Sequence, residues 1–285
     1  MSANVYALGA ILLWATLAPL GVSLQHLPPF LLTGVALLIG SVPTWPLFIR
    51  DPRCWRVPAS TLALGVYGLF GFHFLLFIAL RHAPPVEANL VNYLWPLLMV
   101  ALAPFLLKGV RLRWNHVLAA LLGFAGAVLA ITAGKSLAGA WAWGYPVALC
   151  SALVWASYSL LTRRVTPFPT PAVGLFGLVS GALSLLSHVF LEAGAAVSAT
   201  DWGRIVLLGL GPLGVAFLLW DRALKMGDPR QIGILSYLTP LASTALLMWV
   251  TGQPFTLSIA LATLLIVGAA ALGAKKASVE TQQNP

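Results

Sequence analysis

Charge is what this chain has least of. Asp, Glu, Lys and Arg make up 8% of its 285 residues, where a soluble domain carries about 25%. Sixty per cent is hydrophobic and the mean hydropathy is +0.92. A water-soluble surface cannot be built from that inventory, so the chain reads as an all-α integral membrane protein. Acids are scarcest, with seven in all, and none falls at the middle of an apolar run. Glu87 and Asp221 sit near the ends of runs, Glu192, Asp201 and Asp228 in loops or at run ends, Asp51 in a loop and Glu280 in the tail. A deep carboxylate that holds a cation and carries a coupling proton is thus missing. Cysteine is nearly absent too. Cys54 and Cys150 match no metal or redox spacing. "GKS" at 134–136 lacks the glycine of a phosphate loop, since Leu129 stands in its place. No ATPase, zinc-hydrolase or nucleophile motif is present, so no enzyme activity, ATP hydrolysis or cofactor is expected.

What the chain has instead is long apolar runs. A bilayer-crossing helix needs about 20 apolar residues. Polar and proline breaks divide the chain into ten spans, at about 4–24, 29–49, 58–80, 85–106, 115–133, 140–161, 171–191, 203–224, 230–250 and 256–274. The first span lacks a basic leader and reads as a helix, not a cleaved signal. The +9 formal charge is no nucleic-acid signal. With the N-terminus cytoplasmic, 13 of the 16 basic residues fall in inside loops or the tail, leaving Arg81, Lys135 and Arg204 outside. The positive-inside rule has this form. It puts both termini in the cytoplasm, in a bacterial inner membrane.

The second half repeats the first. "ALRHAPPVEANLVNYLWPL" (79–97) aligns with "ALKMGDPRQIGILSYLTPL" (223–241) at an offset of 144, and "LLWAT" (12–16) with "LVWAS" (153–157) at 141. The repeat is five spans long, residues 1–138 and 139–285. An odd number inverts the second copy, and inverted repeats are a recurring transporter architecture.

Polar residues inside spans are costly and face the bundle interior, so they map a path. His73 is the ionisable side chain deepest in a span. It can bind a proton or a substrate carboxylate, or simply bond a neighbouring helix. In the fourth span Asn89, Asn92, Tyr93 and Pro96 share a face. Ser236, Tyr237 and Pro240 occupy the matching places in the ninth. Each proline frees the carbonyl four residues back, that of Asn92 or Ser236, which makes Pro96 and Pro240 candidate hinges. Among 11 tryptophans, Trp45, Trp55, Trp114, Trp141, Trp143, Trp202 and Trp249 lie at span ends and suit interfacial belts. Trp14, Trp95, Trp155 and Trp220 lie deeper. Trp155 and Tyr158 share a face, while Trp95 could face the path or lipid. A candidate substrate site therefore comprises Trp14, His73, Asn89, Asn92, Tyr93, Trp155, Tyr158, Trp220, Ser236 and Tyr237. Aromatic rings with a few hydrogen-bonding groups suit a flat apolar side chain with a polar backbone end. Gly123, Gly126, Gly268 and Gly273 allow close helix packing or a homodimer through the fifth and tenth spans.

The whole chain resembles the drug/metabolite transporter superfamily, and within it the ten-helix EamA type. "ALKMGDPRQIGILSYLTPLASTALLMWVTGQP" (223–254) carries the likeness most specifically. One departure is Gln253, where members commonly have an acid after the glycine. The resemblance, with an acid-free aromatic path, implies alternating-access export of aromatic or other apolar amino acids. Export of flat cationic or aromatic xenobiotics is the alternative.

Overall fold

The computed structural model describes residues 2–132, 141–252 and 256–274. Lys135, the "GKS" stretch, Gln253, Lys275, Lys276 and Glu280 lie outside them. Ten apolar helical spans follow one another: α1 (Ala3–Ser23), α2 (Pro29–Arg50), α3 (Ala59–Arg81), α4 (Pro85–Leu106), α5 (Trp114–Thr132), α6 (Gly144–Leu161), α7 (Ala172–Leu191), α8 (Ala199–Met226), α9 (Pro229–Val250) and the shorter α10 (Leu257–Gly273). The chain is a multi-pass membrane protein. Sequence boundaries and observed ones agree closely, except that α8 is longer at both ends than the expected 203–224.

Local chemistry sets where the helices begin. Pro29, Pro85 and Pro229 occupy the first helical position, where a missing N–H costs nothing. Ser198 and Asp201 form a capping box at α8, and Thr256 caps α10 by accepting from the Ile259 N–H.

Four spans are interrupted at proline: α2 tightens into a 3-10 stretch at Val42–Thr44 around Pro43, and three others break outright. α1 breaks at Thr16 before Pro19, α4 between Asn92 and Trp95 before Pro96, and α9 between Leu235 and Leu238 before Pro240. Two others carry a π turn, Tyr67–Gly71 in α3 and Gly211–Val215 in α8. These segments are related by the offset of 144, so the same irregularity recurs at the same place in each repeat.

Packing has the same symmetry. α1 packs on α8 as α6 packs on α3, and α1 on α9 as α6 on α4; α4 meets α9, α2 meets α7 and α5 meets α10. Exchanging the repeats maps this pattern onto itself, as two inverted five-helix repeats require. The expected tryptophan division also holds. Trp114, Trp141 and Trp249 are 74%, 79% and 80% exposed, while Trp14, Trp95, Trp155 and Trp220 are buried.

Small residues decide where two large rings go. A methyl added at Gly68 would overlap the Tyr158 ring, and one at Gly123 the Tyr237 ring. Gly126 seats Ile266 and Gly273 seats Ile234, so three of the four small residues noted in α5 and α10 pack within one chain. Only Gly268 opens on free space. That outward face is left for lipid, or for the second copy a homodimer requires. Gly68→Val and Gly123→Val should each lower the thermal unfolding midpoint in detergent, at about 1–3 kcal/mol of overpacking. Gly268→Val should leave it unchanged. Equal midpoints for all three would show that neither tyrosine ring depends on the missing side chain.

Candidate functional site

A cavity of about 270 Å³ lies at the centre of the bundle. Its walls come from α1, α2, α3, α4, α6, α8 and α9. It extends toward the end that carries the α1–α2 and α3–α4 loops, away from the described ends of the chain. Trp14, His73, Asn89, Asn92, Tyr93 and Trp155 all line it, six of the ten expected residues. Trp95 lines it as well. Regular helical phasing put Trp95 off the Asn92 face, but the break at Tyr93–Leu94 re-phases the second half of α4.

Repeat-related residues meet across the cavity. Trp14 and Trp155 are 5.9 Å apart edge to face. His73 and Phe217, which share a position at the offset of 144, have ring centroids 6.3 Å apart. Trp95 and Thr239, also equivalent, both border the space. Phe217 additionally lies 6.1 Å from Trp14 and 5.6 Å from Trp155.

The π turns position two of these side chains. A π turn bonds i to i+5 and leaves carbonyls short of their usual partners. In α3 the His73 Nδ1 is 2.6 Å from the Leu69 carbonyl. A carbonyl only accepts, so Nδ1 carries a hydrogen and Nε2 is left for a ligand. In α8 the Trp14 indole N–H donates to the Pro212 carbonyl at 3.1 Å. The break in α1 is satisfied similarly: the Ser243 hydroxyl donates to the Ala15 carbonyl, which Pro19 frees, at 2.9 Å.

Four expected residues do not reach the cavity. Tyr158 is held against Gly68 and Tyr237 against Gly123. Ser236 turns its hydroxyl back to the Gly233 carbonyl, at 2.5 Å. Trp220 donates to the Ser159 hydroxyl at 3.2 Å and lies behind Trp14 and Trp95, at 5.1 and 5.6 Å. Together they close the bundle on the side of the termini. Each is the repeat equivalent of a residue that does line the cavity: Leu17, Tyr93, Asn92 and Leu76 respectively. Sequence reasoning could not separate residues that border the cavity from repeat equivalents that do not.

Reasoning from polarity missed Phe72, Phe77, Phe217, Thr33 and Thr239, all on the wall. The repeat itself carried a usable signal, since Phe217 stands at the position of His73 and Thr239 at that of Trp95. No Asp, Glu, Lys or Arg lines the cavity, whose titratable side chains are His73 and Tyr93.

Charge gathers at the two ends. Beyond the cavity mouth, Glu192 accepts from the Phe30 and Leu31 amides, pairs with Arg81 at 2.5 Å and meets His188 at 2.9 Å, tying α2, α3 and α7. His26 meets Asp201 at 3.1 Å, and Tyr145 bonds Glu87. On the termini side, Arg163 donates to the Gly227 carbonyl at 2.9 Å and Arg230 to the Arg111 carbonyl at 2.5 Å. Burial raises the Asp228 carboxyl, but hydrogen bonds from the Arg230 side chain and amide outweigh it and hold it below its ordinary value. α8 also encloses Asp221 and Lys225, paired at 2.6 Å. Both lie near the Met226 end of α8, so among the described residues His73 stays further inside its span than either.

The EamA-like transporter family matches residues 1–132 and 142–273. The aromatic amino acid exporter YddG of Ancylobacter novellus is 41% identical over 95% of this chain and 96% of its own length. The protein of the same name from Escherichia coli is 27% identical, again over 95% and 96%. An uncharacterized transporter of Bacillus subtilis, YyaM, is 28% identical over 77% of this chain and 74% of its own. A solved crystal structure superposes with a TM-score of 0.87 at 41% identity, covering 95% of this chain and 96% of that one.

If the cavity takes an aromatic amino acid, His73→Ala should weaken binding of phenylalanine, read by tryptophan fluorescence in detergent, by about tenfold, the worth of one hydrogen bond to a charged group. Tyr158→Phe, behind the closed wall, should stay within about twofold in that assay. Equal effects would place neither side chain in the binding site.

Proposed function

The chain belongs to the EamA-like transporter family, and on that premise we propose that it exports aromatic or other apolar amino acids. Export runs by alternating access through the central cavity, without ATP hydrolysis. The observation that carries this reading is the pairing of an open half-site with a closed one related to it by the repeat. Leu17, Leu76, Asn92 and Tyr93 border the cavity, while Tyr158, Trp220, Ser236 and Tyr237 are packed away on the other side. Exchanging the conformations of the two repeats would exchange these two sets. The breaks at Pro96 and Pro240 supply the bends, with flexible backbone at the centre of α4 and α9.

The lining supports the substrate class. Trp14, Trp95, Trp155, Phe72 and Phe217 offer ring faces and edges to a flat apolar group. His73, Asn92 and Thr239 offer neutral hydrogen-bonding atoms to its polar end. The name of the 41%-identical relative points the same way. The distribution of basic residues supports an inner (plasma) membrane location with cytoplasmic termini. In that orientation the open cavity faces outward.

Proteoliposomes loaded with labelled phenylalanine or tryptophan should release it faster than protein-free vesicles, with no response to ATP. Release of flat organic cations but of no amino acid would transfer the assignment to the xenobiotic class. Pro96→Ala and Pro240→Ala should each slow release several-fold at equal amounts of folded protein. Full flux in both variants would remove the hinge role.

A further inference from the structure

The two half-sites differ at one position in a way that lets the two faces bind an amine with different affinity. Phe77 borders the open cavity. At the offset of 144 its equivalent is Asp221, and the equivalent of the following Arg81 is Lys225. Asp221 is 3% exposed. Its Oδ2 pairs with Lys225 Nζ at 2.6 Å. The Thr170 hydroxyl and the Arg222 guanidinium also stand near the carboxyl and favour its charge, but the buried Oδ1 has no partner at full hydrogen-bond geometry among the described residues. Lys225 in turn donates to the Phe168 carbonyl at 2.9 Å and lies over the Phe168 ring at 3.9 Å. A buried carboxylate oxygen left unpaired is costly, and such an atom is retained where another state satisfies it.

Resting on the alternating-access reading above, we propose that Asp221 is the ammonium-binding residue of the half-site facing the termini. When that side opens, Asp221 joins Tyr158, Trp220, Ser236 and Tyr237 around the substrate, as Phe77 joins their equivalents on the open side. The α-ammonium of an amino acid donates to Oδ1. Its carboxylate meets Lys225, so the zwitterion replaces the ion pair that closes this end. On the opposite face the same place is the apolar ring of Phe77, and no acid lines that cavity. The amine is therefore bound by a charge where substrate is collected and by neutral groups where it is released. An arylalkyl primary amine should share this site and depend on Asp221. A carboxylate lacking the amine should reach it through Lys225 alone and not depend on Asp221.

The test is sidedness in proteoliposomes of known orientation, with phenylalanine as substrate and phenethylamine and 3-phenylpropionate as competitors. Asp221→Asn should raise the half-saturating phenylalanine concentration on the termini face about tenfold or more, one hydrogen bond to a charged group. It should weaken phenethylamine competition equally on that face and leave 3-phenylpropionate within about twofold. Affinity on the opposite face should be unchanged, which also reports intact folding. Asp221→Glu, which keeps the charge, should restore most of the termini-face affinity. Equal loss on both faces, no loss on either, or equal loss for 3-phenylpropionate would overturn the proposal. A wild type that transports no aromatic amino acid would instead overturn the substrate assignment, which keeps the two failures distinguishable.

Discussion

Lipid supplies no hydrogen bonds, so every backbone group that leaves the helical ladder must find a partner inside the protein. The rest of this structure depends on that constraint. Proline breaks and π turns take carbonyls out of the ladder in α1, α3 and α8, and side chains bring them back in. Ser243 reaches the Ala15 carbonyl, His73 that of Leu69 and Trp14 that of Pro212. The irregular backbone concentrates toward the middle of the spans, and the carbonyls of Ala15, Leu69 and Pro212 each find a side chain there. The same irregularities orient the side chains of the cavity. Site and fold defects are therefore one feature, as in other membrane proteins whose broken helices line a path.

Much of this was legible in the sequence because the bilayer is a strict solvent. Apolar run length gave the ten spans, and the position of each tryptophan within its run separated Trp114, Trp141 and Trp249 from Trp14, Trp95, Trp155 and Trp220. The repeat was visible because "NYLWPL" and "SYLTPL" keep Tyr, Leu and Pro in register. What was not legible has physical causes. Periodicity assigns a residue to a helix face, but not to the open or the closed side of the membrane. For that reason Tyr158, Trp220, Ser236 and Tyr237 could not be told from Leu17, Leu76, Asn92 and Tyr93 by polarity. Trp95 was ambiguous because a two-residue break shifts the phase of everything after it. Phe72, Phe77 and Phe217 gave no signal because an apolar ring in a chain this apolar is unremarked. Gly68 and Gly123 act through rings from distant helices, which no local pattern encodes.

The repeats are alike in backbone and unlike in chemistry. His73 faces Phe217, Trp95 faces Thr239, and Phe77 answers to Asp221. On the proposed alternating access, shared irregularities at the offset of 144 would let the halves adopt each other's shape, and unshared side chains would let the two faces treat one substrate differently. A perfectly symmetric duplication would equilibrate its substrate with equal affinity on both sides. The divergence at these few positions is where the affinities of the two faces can differ.

The exchange of half-sites is most directly tested by thiol accessibility during turnover. In a background with Cys54→Ser and Cys150→Ser, cysteine is introduced singly by Asn92→Cys or Ser236→Cys, at equivalent places in the two repeats. A membrane-impermeant maleimide is then applied from either face with substrate present. The account predicts that Asn92→Cys is labelled only from the face opposite the termini and Ser236→Cys only from the termini face. Labelling of both positions from one face, or a Ser236→Cys that stays unreactive while substrate is moving, would contradict it.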